Sequence, residues 1–357
     1  MAAPLPIDAT LRDGVSVDNV GIRRALLHRK ELLETAVRGD RHGELRRLLF
    51  EVDDALHRME EGRFGSCELC HEAIERECLE ADPLRRVCLE CLSSSERRSL
   101  EADLELAIEV QGSLIPSGEI AVPGWQAFVH SHPAGAVGGD FVDLVETADR
   151  TATHLVVGDV AGKGVAAALL ASHLQALFRS SVSAPLSLPE RVARINRLFS
   201  AVSPARIFAT LVWVVVDREG GGELVNAGHL PAVVVGRHGC RMLESTGVPV
   251  GLFPAARYAA TRFELAPGEQ LLLFTDGVTE SADGRDREYG VDALWTLVSE
   301  RDLELSPEDA VRRYLNDVTR HRGGREQQDD LTVMVLRRSC CASVAEPAGQ
   351  RVISSSL

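Results

Sequence analysis

From about Ser16 to Val37, apolar residues recur at mixed three- and four-residue spacings (Val20, Leu26, Leu27, Leu32, Leu33). This spacing predicts an amphipathic helix. A polar turn, Arg38 to Gly43, separates it from a second stripe of Leu45, Leu48, Leu49, Val52, Leu56 and Met59, which Gly62 ends. Two such helices predict an antiparallel hairpin. A third helix is expected to start at Ser93-Ser94-Ser95-Glu96, run through Leu100, Leu104, Ala107, Ile108 and Gln111, and stop before Pro116. From about Ile120 the pattern changes to short β-rich runs: Thr153–Val157, Thr210–Val216, Leu224–Val225, Ala232–Val235, Gln270–Phe274 and Leu331–Leu336. Helical stretches at about Val165–Phe178, Pro189–Ser200 and Ser306–Thr319 interrupt them. Strands with interspersed helix pairs predict an α/β (α+β) domain of antiparallel sheets packed between helices. Residues 1–15 and 339–357 have little periodicity and are expected to be disordered.

Composition narrows the class. The chain has 357 residues, so about two domains are expected at ~150 residues each. With 39 basic and 53 acidic side chains, the net charge of −14 argues against a general nucleic-acid binder. Residues 1–98 carry 16 basic and 20 acidic groups, 16 − 20 = −4, so that segment gives no basic face either. The contiguous apolar runs fall short of a membrane span, and the N-terminus lacks an apolar signal region, so a cytoplasmic location is expected. Only Lys30 and Lys163 are lysines.

Four of the eight cysteines form Cys67-x-x-Cys70 and Cys88-x-x-Cys91, with 17 residues between the pairs. Two such knuckles supply the tetrahedral thiolates that Zn2+ prefers. His71 and Cys78 are bystanders in this reading. The segment from Arg63 to Cys70, with Ile74, Glu80-Ala81-Asp82-Pro83 and Val87 to Cys91, resembles the zinc finger of the DksA/TraR family, bacterial regulators that act on RNA polymerase through a helical hairpin. This chain has His71 where that family usually has glycine, and the turn from Arg38 to Gly43 shows no acidic tip. One structural Zn2+ in a docking or regulatory module is the expectation.

Four acidic motifs stand at the edges of apolar runs: Gly138-Gly139-Asp140-Phe141-Val142-Asp143, Gly158-Asp159-Val160-Ala161-Gly162-Lys163-Gly164, Phe274-Thr275-Asp276-Gly277 and Asp329-Asp330-Leu331-Thr332. Carboxylates at strand ends suit Mg2+ or Mn2+, and neighbouring glycines let the backbone approach closely. Carboxylates from distant strands could hold two ions. A phosphate loop fits poorly, because only three residues separate Gly158 from Gly162 and Gly164 replaces the Ser or Thr.

The ordered set of these motifs, with Pro133-Ala134, Phe208 to Leu211, Asn226-Ala227-Gly228-His229-Leu230-Pro231 and Gly247-x-Pro249-x-Gly251, resembles the SpoIIE/RsbU branch of the PPM (PP2C-like) serine/threonine phosphatases across about residues 100–338. The resemblance implies a β-sandwich flanked by helices with a two-metal centre. Asp140, Asp159, Asp276 and Asp329 would be the catalytic metal ligands, with the Val160 carbonyl and a bridging Asp159. Asp143, Asp330, Gly139 and Gly277 would support them. His229 reads as structural. The arginine that grips phosphate in the eukaryotic relatives has no counterpart here; Lys163 or His132 could serve instead, and Lys163 could equally be a solvated residue at a helix start. The implied reaction is hydrolysis of a phosphoserine or phosphothreonine by a two-metal-activated water, on a STAS-type anti-sigma-factor antagonist. Helices 165–178 and 189–200 match the family's regulatory helices, so an upstream signalling protein could act through residues 99–114, and the helical linker suggests a homodimer. The expected layout is a hairpin and finger over 16–98, a connecting helix over 99–114 and a phosphatase domain over 115–338. The alternative is a non-catalytic regulator that docks on transcription machinery through the finger.

Overall fold

The computed structural model describes residues 19–37, 43–204, 207–300 and 303–339. The expected disordered start, all of the expected tail but Ser339 (with Cys340 and Cys341), and most of the turn from Arg38 to Gly43 lie outside these residues. The chain divides into two compact units, 1–103 and 104–357.

In the first unit, α1 (Val20–Ala36) and α2 (Glu44–Glu60) pack through Leu26, Leu33, Val52, Ala55, Leu56 and Met59, while Leu27 and Leu32 of the expected stripe are exposed. Lys30 reaches Asp53 across the pair at 2.7 Å. The buried Arg58 pairs with Asp54 at 3.0 Å and donates to the Leu84 and Arg85 carbonyls, tying α2 to the cysteine block. That block contains only a six-residue helix, α3 (Arg76–Ala81), and a single turn at Leu89–Cys91. Its core is correspondingly small: Cys67, Ile74, Leu79 and Cys88. α4 (Ser94–Leu114) starts on a capping box, with the Glu96 amide donating to the Ser93 hydroxyl and the Ser93 amide donating to the Glu96 carboxylate.

The second unit contains two antiparallel sheets. One has six strands, ordered β1 (Gly118–Val122), β2 (Trp125–His132), β11 (Leu331–Arg338), β10 (Gln270–Phe274), β7 (Ala232–Gly236) and β8 (Gly239–Leu243). The other has five, ordered β3 (Phe141–Glu146), β4 (Ala152–Val160), β5 (Ala209–Asp217), β6 (Gly221–Ala227) and β9 (Thr261–Glu264). Both sheets are buried on both faces, which explains the unbroken apolar runs. On β5, Val212, Val214 and Val216 point into the core between the sheets, while Ala209, Leu211 and Trp213 face α5 (Gly164–Val182) and α6 (Leu188–Val202). The outer face of the six-stranded sheet packs on α8 (Gly290–Ser299) and α9 (Pro307–Arg322). The fold is the expected helix-flanked sandwich. Strands β1, β2, β3, β8 and β9 were not foreseen, because they are short or contain polar residues, as in Trp125-Gln126-Ala127-Phe128-Val129-His130.

Among the described residues one helix, α5, is long and apolar enough to cross a membrane by length and composition. Its Ser172, His173, Gln175 and Arg179 interrupt the run, while Ala167, Ala171, Leu174 and Phe178 pack in the core beneath β3 and β4.

Candidate functional site

Antiparallel pairing decides where the acidic motifs meet. Asp140 immediately precedes β3 and Asp159 lies near the end of β4, its neighbour in the five-stranded sheet. Asp276 begins α7 (Asp276–Thr279) just after β10, and Asp329 and Asp330 precede β11, which pairs with β10 in the other sheet. Each pair of motifs therefore falls at one end of its own sheet. Two threonines tie the pairs together: Thr275 and Thr332 both donate to Asp140 Oδ2, at 2.7 and 2.6 Å. Neither was singled out from the sequence, although each lies within a quoted acidic motif. Asp330 accepts from the Gly139 amide at 2.5 Å and from the Ala134 amide at 2.8 Å, and so fixes the turn that carries Asp140. Gln111, on α4, clasps the same turn, accepting from the Gly138 amide at 3.0 Å and donating to its carbonyl at 2.7 Å.

The glycines permit close approach. A Cβ on Gly139 would come within 2.9 Å of the Val160 carbonyl and 3.1 Å of Asp159 Oδ1, and one on Gly277 would collide with the Asp330 carbonyl.

The electrostatics are those of a cation site. Burial holds Asp140 well above the usual carboxylate range, aided by the charges of Asp159 and Asp330 and opposed by the threonine hydroxyls. Burial and the charges of Asp276, Asp329 and Asp330 push Asp159 up to about 7. Asp276 is raised by burial and by Asp329, against the amide hydrogen bonds at Gly277 and Asp276. The buried Asp140 Oδ1 has no hydrogen-bond partner. Mutual repulsion, an orphaned oxygen and an all-oxygen donor set fit divalent hard cations, which would relieve all three.

Other expected residues fall elsewhere. Asp143 does not join the cluster: alternation along β3 turns it toward α5, where it accepts from Arg179 at 2.6 and 3.0 Å. His229 is buried between the Thr210 hydroxyl at 2.8 Å and the Phe274 carbonyl at 3.1 Å, and burial lowers it to about 4, as a structural histidine requires. His132 ends β2, and its carbonyl accepts from Gln327. Lys163 precedes α5 and contacts Asp329 at 3.0 Å.

The first unit has a second cluster. The sulfurs of Cys67, Cys70, Cys88 and Cys91 all lie within 4.8 Å of one another. Among the described residues no other set of three or more such ligands is so tight, and the carboxylates stand wider apart. The amides of Cys70, Cys88 and Leu69 aim at Cys67 and lower it to about 6. Thiol contacts with Cys70 and Cys88 push Cys91 up to about 12. Such a set ionises fully only around a cation, and soft sulfur donors fit Zn2+. His71 takes φ +63°, the left-handed conformation in which glycine is unstrained.

Comparison with known proteins agrees with this architecture. Residues 149–339 match the family model "Stage II sporulation protein E (SpoIIE)". That stretch contains Asp159, Asp276 and Asp329, and Asp140 lies just before it. The chain is 26% identical over 267 residues to protein IcfG of Synechocystis. It is 26% identical over 184 residues to phosphoserine phosphatase RsbP of Bacillus subtilis. It is also 25% identical over 248 residues to that organism's phosphoserine phosphatase RsbU. These alignments take in 66%, 50% and 68% of this chain and 42%, 45% and 72% of the respective relatives, so the chain spans less than half the length of the first two. The SiaA-PP2C domain of Pseudomonas aeruginosa superposes with a TM-score of 0.59 at 20% identity, covering 68% of this chain and 98% of that domain. The RsbU and RsbW domains of Rv1364c from Mycobacterium tuberculosis superpose at 0.52 with 26% identity, covering 62% of each chain. With more than half its length matched to the family model, on a PP2C sandwich that gathers the acidic motifs at one end, this chain belongs to the SpoIIE family of PP2C-type phosphatase domains.

Proposed function

We propose that this chain is a Mn2+- or Mg2+-dependent protein serine/threonine phosphatase acting on a phosphorylated STAS-type anti-sigma-factor antagonist. The observation that carries the reading is the meeting of Asp140, Asp159, Asp276 and Asp329 at the strand ends of two sheets. RsbU and RsbP, the related phosphoserine phosphatases, support the substrate class. Asp140, Asp159, Asp276, Asp329 and the Val160 carbonyl would hold the ions. When bound, the ions supply Lewis acidity, lowering the pKa of a water and offsetting charge on the phosphoryl oxygens. The chain's own residues hold the geometry. Thr275 and Thr332 fix one oxygen of Asp140 and leave the other free to ligate. Asp330 pins the Gly139–Asp140 backbone, and Gly139 and Gly277 admit neighbouring oxygens.

The thiolates are assigned one structural Zn2+ in a DksA/TraR-like finger that regulates or docks the phosphatase. Gln111 gives α4 a direct hold on the turn bearing Asp140, and this supports regulation through that helix.

The test is Mn2+-dependent hydrolysis of p-nitrophenyl phosphate and of a phosphoserine STAS protein. Asp159→Asn and Asp276→Asn should each lower kcat by about 1000-fold. A folded wild-type protein inactive with both Mn2+ and Mg2+ would leave the non-catalytic docking reading in its place.

A further inference from the structure

A phosphomonoester carries about −1.5 to −2 charges at neutral pH. A dianion binds best where a cationic side chain can pair with it, and among the described residues Lys163 is the basic side chain paired with one of the site's carboxylates. Its Nζ lies 3.0 Å from Asp329 Oδ2 and donates to the Gln328 carbonyl at 2.8 Å. The side chain is 67% exposed.

Two glycines flank this lysine. Lys163 is the extended residue that opens α5. Gly162 and Gly164, on either side, take φ of +118° and +73°, which only glycine adopts freely, and open space surrounds both. An exposed ion pair is weak, so a doubly charged phosphoryl group can draw the ammonium away from Asp329.

We propose that Lys163 is the phosphate-recognising residue of this site, held ready on Asp329 and Gln328 and delivered by the Gly-Lys-Gly segment to the incoming phosphomonoester dianion. This rests on the phosphatase reading above. The residue acts in binding: it favours the dianion in the ground state and in the transition state alike, so KM carries most of the effect.

The experiment compares the wild type with Lys163→Met and Lys163→Arg, all loaded with Mn2+. Calorimetric titration with inorganic phosphate should show about tenfold weaker binding for Lys163→Met and a loss within about threefold for Lys163→Arg. KM for p-nitrophenyl phosphate should rise about tenfold in Lys163→Met, with kcat within about threefold of wild type. Unchanged phosphate affinity in Lys163→Met overturns the proposal, whatever happens to kcat, because a lysine that merely props Asp329 would change turnover without changing phosphate binding. If the wild type does not hydrolyse p-nitrophenyl phosphate, the phosphatase reading falls, and the phosphate titration alone decides the role of Lys163.

Discussion

The two clusters are built in opposite ways. The thiolates of the first unit come from 25 consecutive residues, Cys67 to Cys91, with little secondary structure between them. Two of the four buried residues in the local core are the cysteines themselves. The carboxylates of the second unit come from four segments between Asp140 and Asp329, each standing on a sheet that is buried on both faces. In the first case proposed ligands are themselves part of the core. In the second the fold makes the ligand set, and holds it together against like-charge repulsion. A site that its scaffold supports can tolerate the loss of a ligand structurally, whereas a site that replaces a scaffold cannot.

That contrast can be broken most directly at Cys67. Cys67→Ser, or zinc removal by a chelator, should unfold residues 63–92, because structural zinc typically contributes about 10 kcal/mol or more to such knuckles. Metal analysis should fall from about one zinc per chain to none, and proteolysis should then cut this block first. By contrast, Asp159→Asn in EDTA should leave the unfolding temperature of the second unit unchanged or higher, since it removes a carboxyl that burial and three neighbouring acids raise to about 7. A large drop would show that the carboxylates are structural after all.

The scaffold itself has a pH limit. His154, on β4, accepts from Trp213 Nε1 at 3.1 Å and lies 3.5 Å from Arg191, and burial followed by the Arg191 charge lowers it from 6.5 to about 4. A depressed histidine takes up its proton more readily in the unfolded chain. Stability is therefore intact above about pH 6.5 and is lost as pH falls toward 4, by about 3 kcal/mol for this group. His229, also lowered to about 4, acts in the same direction. Urea midpoints at pH 7 and pH 4.5 should diverge in the wild type and converge partly in His154→Phe.

Breaking the Arg179–Asp143 pair should have a smaller effect. The Asp143 side chain is 2% exposed and that of Arg179 is 37% exposed. Arg179→Met should therefore cost about 2 kcal/mol, below the range for a fully buried pair because water screens the arginine. The smallest effect belongs to Gln111→Ala, about 1 kcal/mol. Its readout is Mn2+ affinity: a fall at constant unfolding temperature would show that α4 positions Asp140, and unchanged affinity would sever that link.

Much of this was legible in the chain. The CxxC spacing gave the thiolate set because short loops leave few ways to place four sulfurs. The valine- and leucine-rich runs marked strands covered on both faces. The caps at Ser93 and Ser187 that open α4 and α6 lie in Ser-x-x-Glu boxes. Asp143 shows where such reading stops. It shares a motif with Asp140, and only the alternation of β3 reveals that it faces Arg179. Thr275 and Thr332 show the converse: hydroxyls of no local distinction become partners of the buried Asp140 carboxylate once β10 and β11 bring them to it.

By itself, then, the sequence determined the longer helices, six of the eleven strands and the identity of the cysteine and acidic motifs, because periodicity and short-range spacing act within a few residues. Tertiary structure alone decided which acids face one another, which is paired away, and where the one nearby lysine reaches. Those outcomes depend on strand order and register across nearly two hundred residues, and on burial that raises carboxylates only after both sheets have closed over them.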